Sequence, residues 1–573
     1  MAFENSRGQR RRIWSRLSLL QKIVPAVDWL RNYRQSDIRG DLSAGLIVAV
    51  MLVPQGMAYA MLAGLPPVMG LYASTLPLII YALFGSSRQL AVGPVAMISL
   101  LVFAGVSPLA EPGSDAYIHL VLLLSLMVGM IQFGMGLLRL GFFINFFSHA
   151  VISGFTSAAA IVICLSQLAP LLGMTVSTQH STIPLLKEAL RHAGETHGIA
   201  LAMGIASILV QFLFKKTMPR FPAPLLVVAG STLLVYALRL DQGGLPIVGN
   251  VPKGLPAFSL PAWSLQSLRL LLLPALSILF VGFMESISVA KFIAAKEKDK
   301  IDSNQELKGL GLANVAAGLF SGYAVTGGFS RTAVNYQAGA RTGLASIISA
   351  GVILLVLVFF TPLFHYLPKS VLASIVIVAV VGLIDVKGMK RLFKLKRVDG
   401  WTLVITFIAT LTIGSEQGIL IGMIFSLLVF IWRSSHPHAA ELGYLEKEGI
   451  FRNAKRFPEV KRHPEVLILR PDASLYFANM GFFEDLLRKS LAEKPDTRWV
   501  VIDLSGVNDI DAVAIDALEG IIETYRSQDI QFLFTGMKGP VRDLVAKAGW
   551  KEKYGEGITY PSISHALQHL PLG

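Results

Sequence analysis

Apolar runs of about 15 to 25 residues, separated by short polar loops, follow one another from near residue 43 to Trp432. A helix needs about 20 apolar residues to cross a bilayer, so the pattern predicts a polytopic α-helical membrane protein. Fourteen membrane elements begin near residues 43, 67, 94, 117, 149, 198, 223, 270, 305, 330, 343, 371, 400 and 416. Past Arg433 the pattern changes. His436 to Arg462 is polar and basic, and then β-rich runs at Val466 to Leu469, Leu475 to Phe477, Trp499 to Leu504 and Gln531 to Thr535 alternate with helical patterns. The expected organisation is a basic N-terminal tail (1–40), a transmembrane domain (41–433), a linker that starts the soluble part (434–463) and a soluble α/β domain (464–573).

Two of the apolar elements are interrupted. Ser87 to Ala96 is an extended approach ending in Gly93-Pro94 before an apolar run to about Val106, and Tyr323 to Thr332 repeats the plan around Gly327-Gly328. Proline near a first helical turn gives up an N–H that lacks a partner anyway, and glycine lets the chain turn sharply into a helix. Both read as half-helices starting near mid-membrane. Their unpaired N–H groups and positive dipole ends then face the interior, where they favour an anion. Paired interruptions in two halves of a hydrophobic chain point to a transporter binding site.

Charge placement orients the chain. The net charge of +14 is concentrated in the tail, with Arg7, Arg10, Arg11, Arg12, Arg16 and Lys22, and in alternate loops, with Arg88, Arg139, Lys215-Lys216, Lys291 to Lys300, Arg341 and the cluster Lys387 to Arg397. The intervening loops hold few, such as Lys187, Arg191, Arg239, Lys253 and Lys369. This is the positive-inside pattern; it puts the tail in the cytoplasm and argues against nucleic acid as a partner. Fourteen elements divide into two sets of seven with the half-helices third and tenth, and an odd number inverts the second set. No cleavable signal pattern precedes the first span. At 53% hydrophobic residues and mean hydropathy +0.59 the chain is far more apolar than a soluble protein. Its single cysteine, Cys164, excludes an internal disulfide and any multi-cysteine metal site.

Glu285 lies inside the eighth element, where a carboxylate costs several kcal/mol unless solvated or paired. Arg331 adds a full positive charge at the start of the second half-helix and is the strongest anion ligand. A Glu285–Arg331 pair in the empty protein, opened by protonation of the carboxylate, would link proton uptake to transport. Gln55 and Tyr59, four apart beside Pro54, share a helical face toward the same interior. His119, His149 and His365 lie near span ends, and Gly129, Gly134 and Gly136 suit close helix packing. No phosphate-binding lysine loop, catalytic triad, metal cluster or cofactor motif is visible, which excludes most enzyme classes.

The string Pro54-Gln55-Gly56-Met57-Ala58-Tyr59-Ala60, followed by Ala63-Gly64-Leu65-Pro66-Pro67 and Gly70-Leu71-Tyr72, resembles the signature of the sulfate permease (SulP) family of anion transporters. Further matches are Gly85-Ser86-Ser87-Arg88, Val92-Gly93-Pro94-Val95-Ala96, Glu285, Asn314 with Gly318, and Ser330-Arg331. The resemblance implies a seven-plus-seven inverted repeat, with a core domain of spans 1 to 4 and 8 to 11 and a gate domain of spans 5 to 7 and 12 to 14. It also implies elevator-like motion and dimers. It assigns the anion site to Gln55, Tyr59, Gly93, Pro94, Val95, Ala96, Phe329, Ser330 and Arg331, with Glu285 for the coupling ion, proton or sodium. The terminal domain is similar to a STAS domain through Val500 to Val507 and Asp509-Ile510-Asp511-Ala512. Such domains in bacterial regulators carry a phosphorylated serine just after the second motif's aspartate. Here Ala512 and Val513 stand in that region, so the phosphoswitch is absent, though a cytoplasmic regulatory protein remains a partner the resemblance implies. The leading expectation is proton-coupled uptake of sulfate across a bacterial inner membrane. The alternatives are sodium-coupled bicarbonate uptake, proton-coupled dicarboxylate uptake, an anion channel or exchanger, and a membrane sensor with the STAS domain as its output.

Overall fold

The computed structural model describes residues 24–146, 148–174, 191–218 and 222–571. The tail residues Arg7 to Lys22 and the loop residue Lys187 lie outside the described residues. The chain divides into two compact units, Met1–Ser426 and Leu427–Gly573.

In the membrane unit every expected element has a helical counterpart. The first four are α1 (Gln35–Leu62), a second element broken into α2 (Pro67–Tyr72) and α3 (Leu76–Phe84), the half-helix α4 (Ala96–Val106) after strand β1 (Val92–Gly93), and α5 (Asp115–Leu137). The next three are α6 (His149–Ser166), α7 (Gly198–Thr217) and α8 (Ala223–Leu238). The second set opens with α9 (Leu265–Glu297) and α10 (Ser303–Leu319), then strand β2 (Thr326–Gly327), the half-helix α11 (Phe329–Gln337) and α12 (Leu344–Leu355). It closes with α13 (Lys369–Val381), a short α14 (Val386–Leu395), α15 (Arg397–Thr412) and α16 (Ser415–Ser435). Among the described residues nine helical stretches are long and apolar enough to cross a membrane.

Two differences from the sequence reading have a physical cause. Helix α1 starts eight residues before the apolar run because polar groups extend it: the Arg34 N–H donates to Asp37, closing the first turn. One turn on, the buried Asp41 accepts from the N–H groups of Arg341 and Thr342 (2.7 and 3.0 Å) and from the Thr342 hydroxyl (2.6 Å). Hydropathy marks where lipid begins, not where the helix does. Four residues of the basic cluster, Lys387, Lys390, Arg391 and Lys394, lie on α14 and not in a loop.

Helices α5 and α10 pack through glycine. A Cβ on Gly129 would come within 2.4 Å of the Val315 nitrogen, and one on Gly311 within 2.6 Å of the Phe133 nitrogen, so the two backbones touch where side chains would hold them apart. A Cβ on Gly136 would meet Lys308 at 2.8 Å and Asn304 at 2.9 Å, but Gly134 faces open space and takes no part. Glu306, fully buried in α10, accepts from the Tyr81 hydroxyl (2.8 Å), the Ser86 N–H and hydroxyl (2.8 and 2.7 Å) and the Ser87 N–H (2.9 Å). With four donors it ties α10 to the loop that leads into β1.

The second unit is a six-stranded sheet in the order β4-β3-β5-β6-β7-β8. Its strands are β3 (Ala439–Leu445), β4 (Ile450–Asn453), β5 (Val466–Pro471), β6 (Trp499–Asp503), β7 (Gln531–Thr535) and β8 (Thr559–Tyr560). β5 to β8 are parallel neighbours, whereas β3 is antiparallel to both β4 and β5. The sheet therefore begins within 434–463, the stretch expected to start the soluble part, and its first hairpin precedes residue 464. The alternation of buried and open positions on β3 breaks at Gly443, and Glu441 on the same strand is held by Lys494 at 2.6 Å. Leu475 to Phe477, expected as a strand, contributes a single bridge from Leu475 to Ile510. Asp511 caps the following helix, α17 (Ala512–Arg526), by accepting from the Ala514 N–H at 2.7 Å. Ser505 donates to Asp503 at 2.8 Å, a local structural contact.

Candidate functional site

The two interrupted segments meet. β1 and β2 pair antiparallel, with Val92 opposite Gly327 and Gly93 opposite Thr326, so the chain enters the two half-helices from opposite directions. Polar side chains from three helices hold the crossing. Asn314 accepts from the Val325 N–H at 2.7 Å and donates to its carbonyl at 3.1 Å. The Thr326 hydroxyl reaches the Gly282 carbonyl (2.5 Å) and Ser286 (2.7 Å), which in turn accepts from the Gly327 N–H at 2.8 Å. Across the crossing, the Ala91 N–H donates to Thr332 (3.0 Å) and the Asn335 amide to the Gln89 carbonyl (2.8 Å). Each such bond contributes about 1 kcal/mol net, more where its loss would orphan a buried group.

Neither half-helix has a side-chain cap. The first bonds inside them are Ser99 N–H to Val95 and Thr332 N–H to Gly328, both 3.0 Å. The N–H groups of Ala96 to Ile98 and of Phe329 to Arg331 precede those bonds and have no partner within their helices.

Arg331 is 3% exposed. Its Nη1 donates to the Pro94 carbonyl at 2.6 Å and its Nη2 reaches the Ala91 carbonyl at 3.5 Å, while Nε is buried with no partner. The guanidinium therefore ties the second half-helix to the approach of the first and keeps one donor unused. Gly93 makes room for it: its φ of +151° suits glycine, and a Cβ there would lie 3.3 Å from Arg331 Nη2. The expected Glu285–Arg331 ion pair is not formed. Two backbone carbonyls already claim the guanidinium, and Glu285 lines the same cavity without bonding to it.

A cavity of about 330 Å³ opens in front of these groups. Gln55, Tyr59, Val95, Ala96, Glu285, Phe329, Ser330 and Arg331 line it, whereas Gly93 and Pro94 stand behind Arg331 and shape it from there. His119, His149 and His365 do not line it. The opposite wall was not read from the sequence: Gln211 and Lys215 from α7, Pro222 to Pro224 leading into α8, and Ile375, Val378 and Leu383 from α13 and its end. Lys215, read from the sequence as a basic loop residue, stands in the last turn of α7, and Gln211 carried a signal as an amide within an apolar run; it is buried and donates to Ser374 at 3.1 Å.

Residues 38–406 match the sulfate permease family and residues 457–566 the STAS domain. The chain is 40% identical to the probable sulfate transporter 4.2 of Arabidopsis thaliana over 96% of this chain and 84% of that one. It is 34% identical to a probable sulfate transporter of Mycobacterium tuberculosis, over 95% and 97%. In structure it resembles the murine solute carrier 26 family member A9 anion transporter in its inward-facing state, with TM-score 0.89 and 25% identity over 96% of this chain and 94% of that one. It also resembles the transmembrane domain of the cyanobacterial bicarbonate transporter BicA, with TM-score 0.59 and 26% identity over 69% and 98%. The chain, a multi-pass membrane protein with a C-terminal α/β STAS domain, belongs to the sulfate permease family.

Proposed function

We propose that this protein is a secondary active transporter of small anions that takes up sulfate with protons by an elevator-like motion of its core against its gate. The supporting observation is the charge at the crossing. Arg331 and two uncapped helix ends, each equivalent to about half a positive charge, together offer about two positive charges to the cavity. That matches a divalent oxyanion. Ionised Glu285, on the wall of the same cavity, cancels one of the two. A proton on Glu285 removes that cancellation, so divalent anion and proton bind together. The sulfate transporters named among its relatives agree with this reading.

The basic loops support an orientation with both termini in the cytoplasm, and the compact loops a bacterial inner membrane. Pairing as a homodimer and a cytoplasmic regulatory protein bound to the STAS domain belong to the same proposal.

Reconstitution in proteoliposomes tests it. Uptake of labelled sulfate, bicarbonate, succinate and chloride is measured under imposed proton or sodium gradients. Saturable sulfate accumulation driven by the proton gradient supports the reading. Sodium-driven uptake of monovalent bicarbonate, which needs only one net positive charge and hence no proton on Glu285, replaces it with transport of the anion named for BicA. Non-saturable conductance makes the protein a channel.

A further inference from the structure

Among the described residues of the membrane helices three carboxylates are buried and one more lines the cavity, in three kinds of surroundings. Asp41 and Glu306 are saturated by donors, and Glu285 lines the cavity. The fourth, Glu416 in the first turn of α16, is 6% exposed, and its Oε1 is buried with no hydrogen-bond partner.

Its position is specific. A Cβ on Gly105 would stand 2.5 Å from Glu416 Oε1 and 2.7 Å from Pro274, so the carboxyl group fills the space that Gly105 leaves at the end of α4, beside α9. Pro274 lies eleven residues before Glu285 on α9, which puts Glu416 about 16 Å along that helix from the anion site. The shift is away from the basic end marked by Lys291 and Lys296. Helix α4 thus runs from the anion site at its N-terminus to Glu416 at its other end. That end carries the negative pole of the helix dipole, which repels a carboxylate. Among the described residues no charge compensates: α4 holds no titratable residue, Arg269 on α9 is exposed and five residues from Pro274, and α15, which meets α16 where Gly418 packs on Thr410, has its charged residues Arg397 and Asp399 at its opposite end.

We propose that Glu416 is a proton-gated latch on the side away from the basic loops, packing against α4 only as the neutral acid. Parting of α16 from α4 and α9 exposes the group to water, the carboxylic O–H breaks, and the proton passes to the solution on that side. The seal re-forms after the proton returns from the same solution. This proton is never carried across, so Glu416 sets the rate of closing and leaves the stoichiometry to Glu285. The inference rests on the alternating-access reading above, but not on proton coupling.

The test uses labelled sulfate uptake by cells lacking their own sulfate uptake, with internal pH clamped and external pH varied. In the Glu285→Gln background, which removes the transported proton, uptake driven by the sulfate gradient is expected to fall as external pH rises, by up to about tenfold per pH unit. Adding Glu416→Gln is expected to flatten that profile at its acid-limb rate, and Glu416→Asp to keep it. In otherwise wild-type protein, Glu416→Gln leaves the final sulfate accumulation at a fixed pH difference unchanged. A profile that Glu416→Gln does not alter overturns the latch. So does loss of accumulation in Glu416→Gln, which would make the residue a transported-proton carrier. Failure of wild-type protein to accumulate sulfate on a proton gradient sinks proton coupling and leaves the latch to be judged on the pH profile. Should Glu416→Gln not fold, Gly105→Ala, which crowds the same carboxyl group, is expected to slow closing at every pH, and a wild-type rate in that variant overturns the proposal.

Discussion

The two half-helices enter the crossing by the same device and differ in what they bring to it. Each follows a two-residue strand, each starts without a side-chain cap, and the strands pair with each other. Helix α4 is apolar apart from Ser99 and buried along most of its length; α11 brings Arg331 and leaves Phe329 and Ser330 exposed to the cavity. The neighbouring spans show the same asymmetry. α1 offers the neutral Gln55 and Tyr59, whereas α9 offers Glu285. The repeat supplies geometry from both halves, and the second half supplies the charge. An anion is therefore held by dipoles on one side and by dipole plus guanidinium on the other, and only the second side has a group whose charge a proton can change.

Removing the charge breaks the comparison most severely. Arg331→Gln loses a full positive charge in a dehydrated pocket and both ties to the first half-helix's approach, so sulfate uptake is expected to fall by at least about a hundredfold. Arg331→Lys keeps a charge but cannot span both carbonyls, and initial-rate uptake is expected to lie between the two. The coupling variant sharpens the same contrast. Glu285→Gln is expected to abolish accumulation driven by a pH gradient while sulfate counterflow at equal pH persists within a few-fold of wild type; accumulation as in wild type removes Glu285 from the proton path.

The two glycines beside Arg331 offer a subtler comparison. Gly93→Ala adds a Cβ at 3.3 Å from the guanidinium and requires an alanine at positive φ, a conformation that costs about 1–2 kcal/mol. Uptake is expected to drop about tenfold. Gly328→Ala crowds the same group at 3.0 Å but from an ordinary extended backbone, with φ −89°, and is expected to cost less; the reverse order in parallel uptake and thermal-unfolding assays would show that backbone strain is not what Gly93 relieves. The smallest effect is expected from Thr326→Val, which removes the hydroxyl shared by Gly282 and Ser286 and should lower stability by about 1–2 kcal/mol with little change in substrate preference.

The half-helices were legible because Gly93-Pro94 and Gly327-Gly328 break the chain within elements too short to cross the membrane as one regular helix. Arg331 and Glu285 were legible because charge inside such runs needs a reason. What Arg331 bonds to was not, since its partners are the carbonyls of Ala91 and Pro94 and every residue has a carbonyl. The second wall of the cavity was hidden for a related cause: Ile375, Val378 and Leu383 look the same whether they face lipid or a cavity. Glu416 sits at the polar end of an apolar run and reads as an interfacial residue, and only the packing of Gly105 and Pro274 around it shows that it is buried. In the soluble unit β5, β6 and β7 were plain, but β8 is only two residues long and the alternation of β3 breaks at Gly443, so neither β8 nor the β3–β4 hairpin was read.

The central claim is that the anion is held where the two half-helices start. Anomalous scattering from selenate bound to crystals of the protein tests it most directly. The account predicts one selenium peak within hydrogen-bonding reach of the first-turn N–H groups of both α4 and α11 and facing Arg331, and loss of that peak in Arg331→Gln. A peak confined to the rim near Lys215, or one at the crossing that survives loss of the guanidinium, would contradict it.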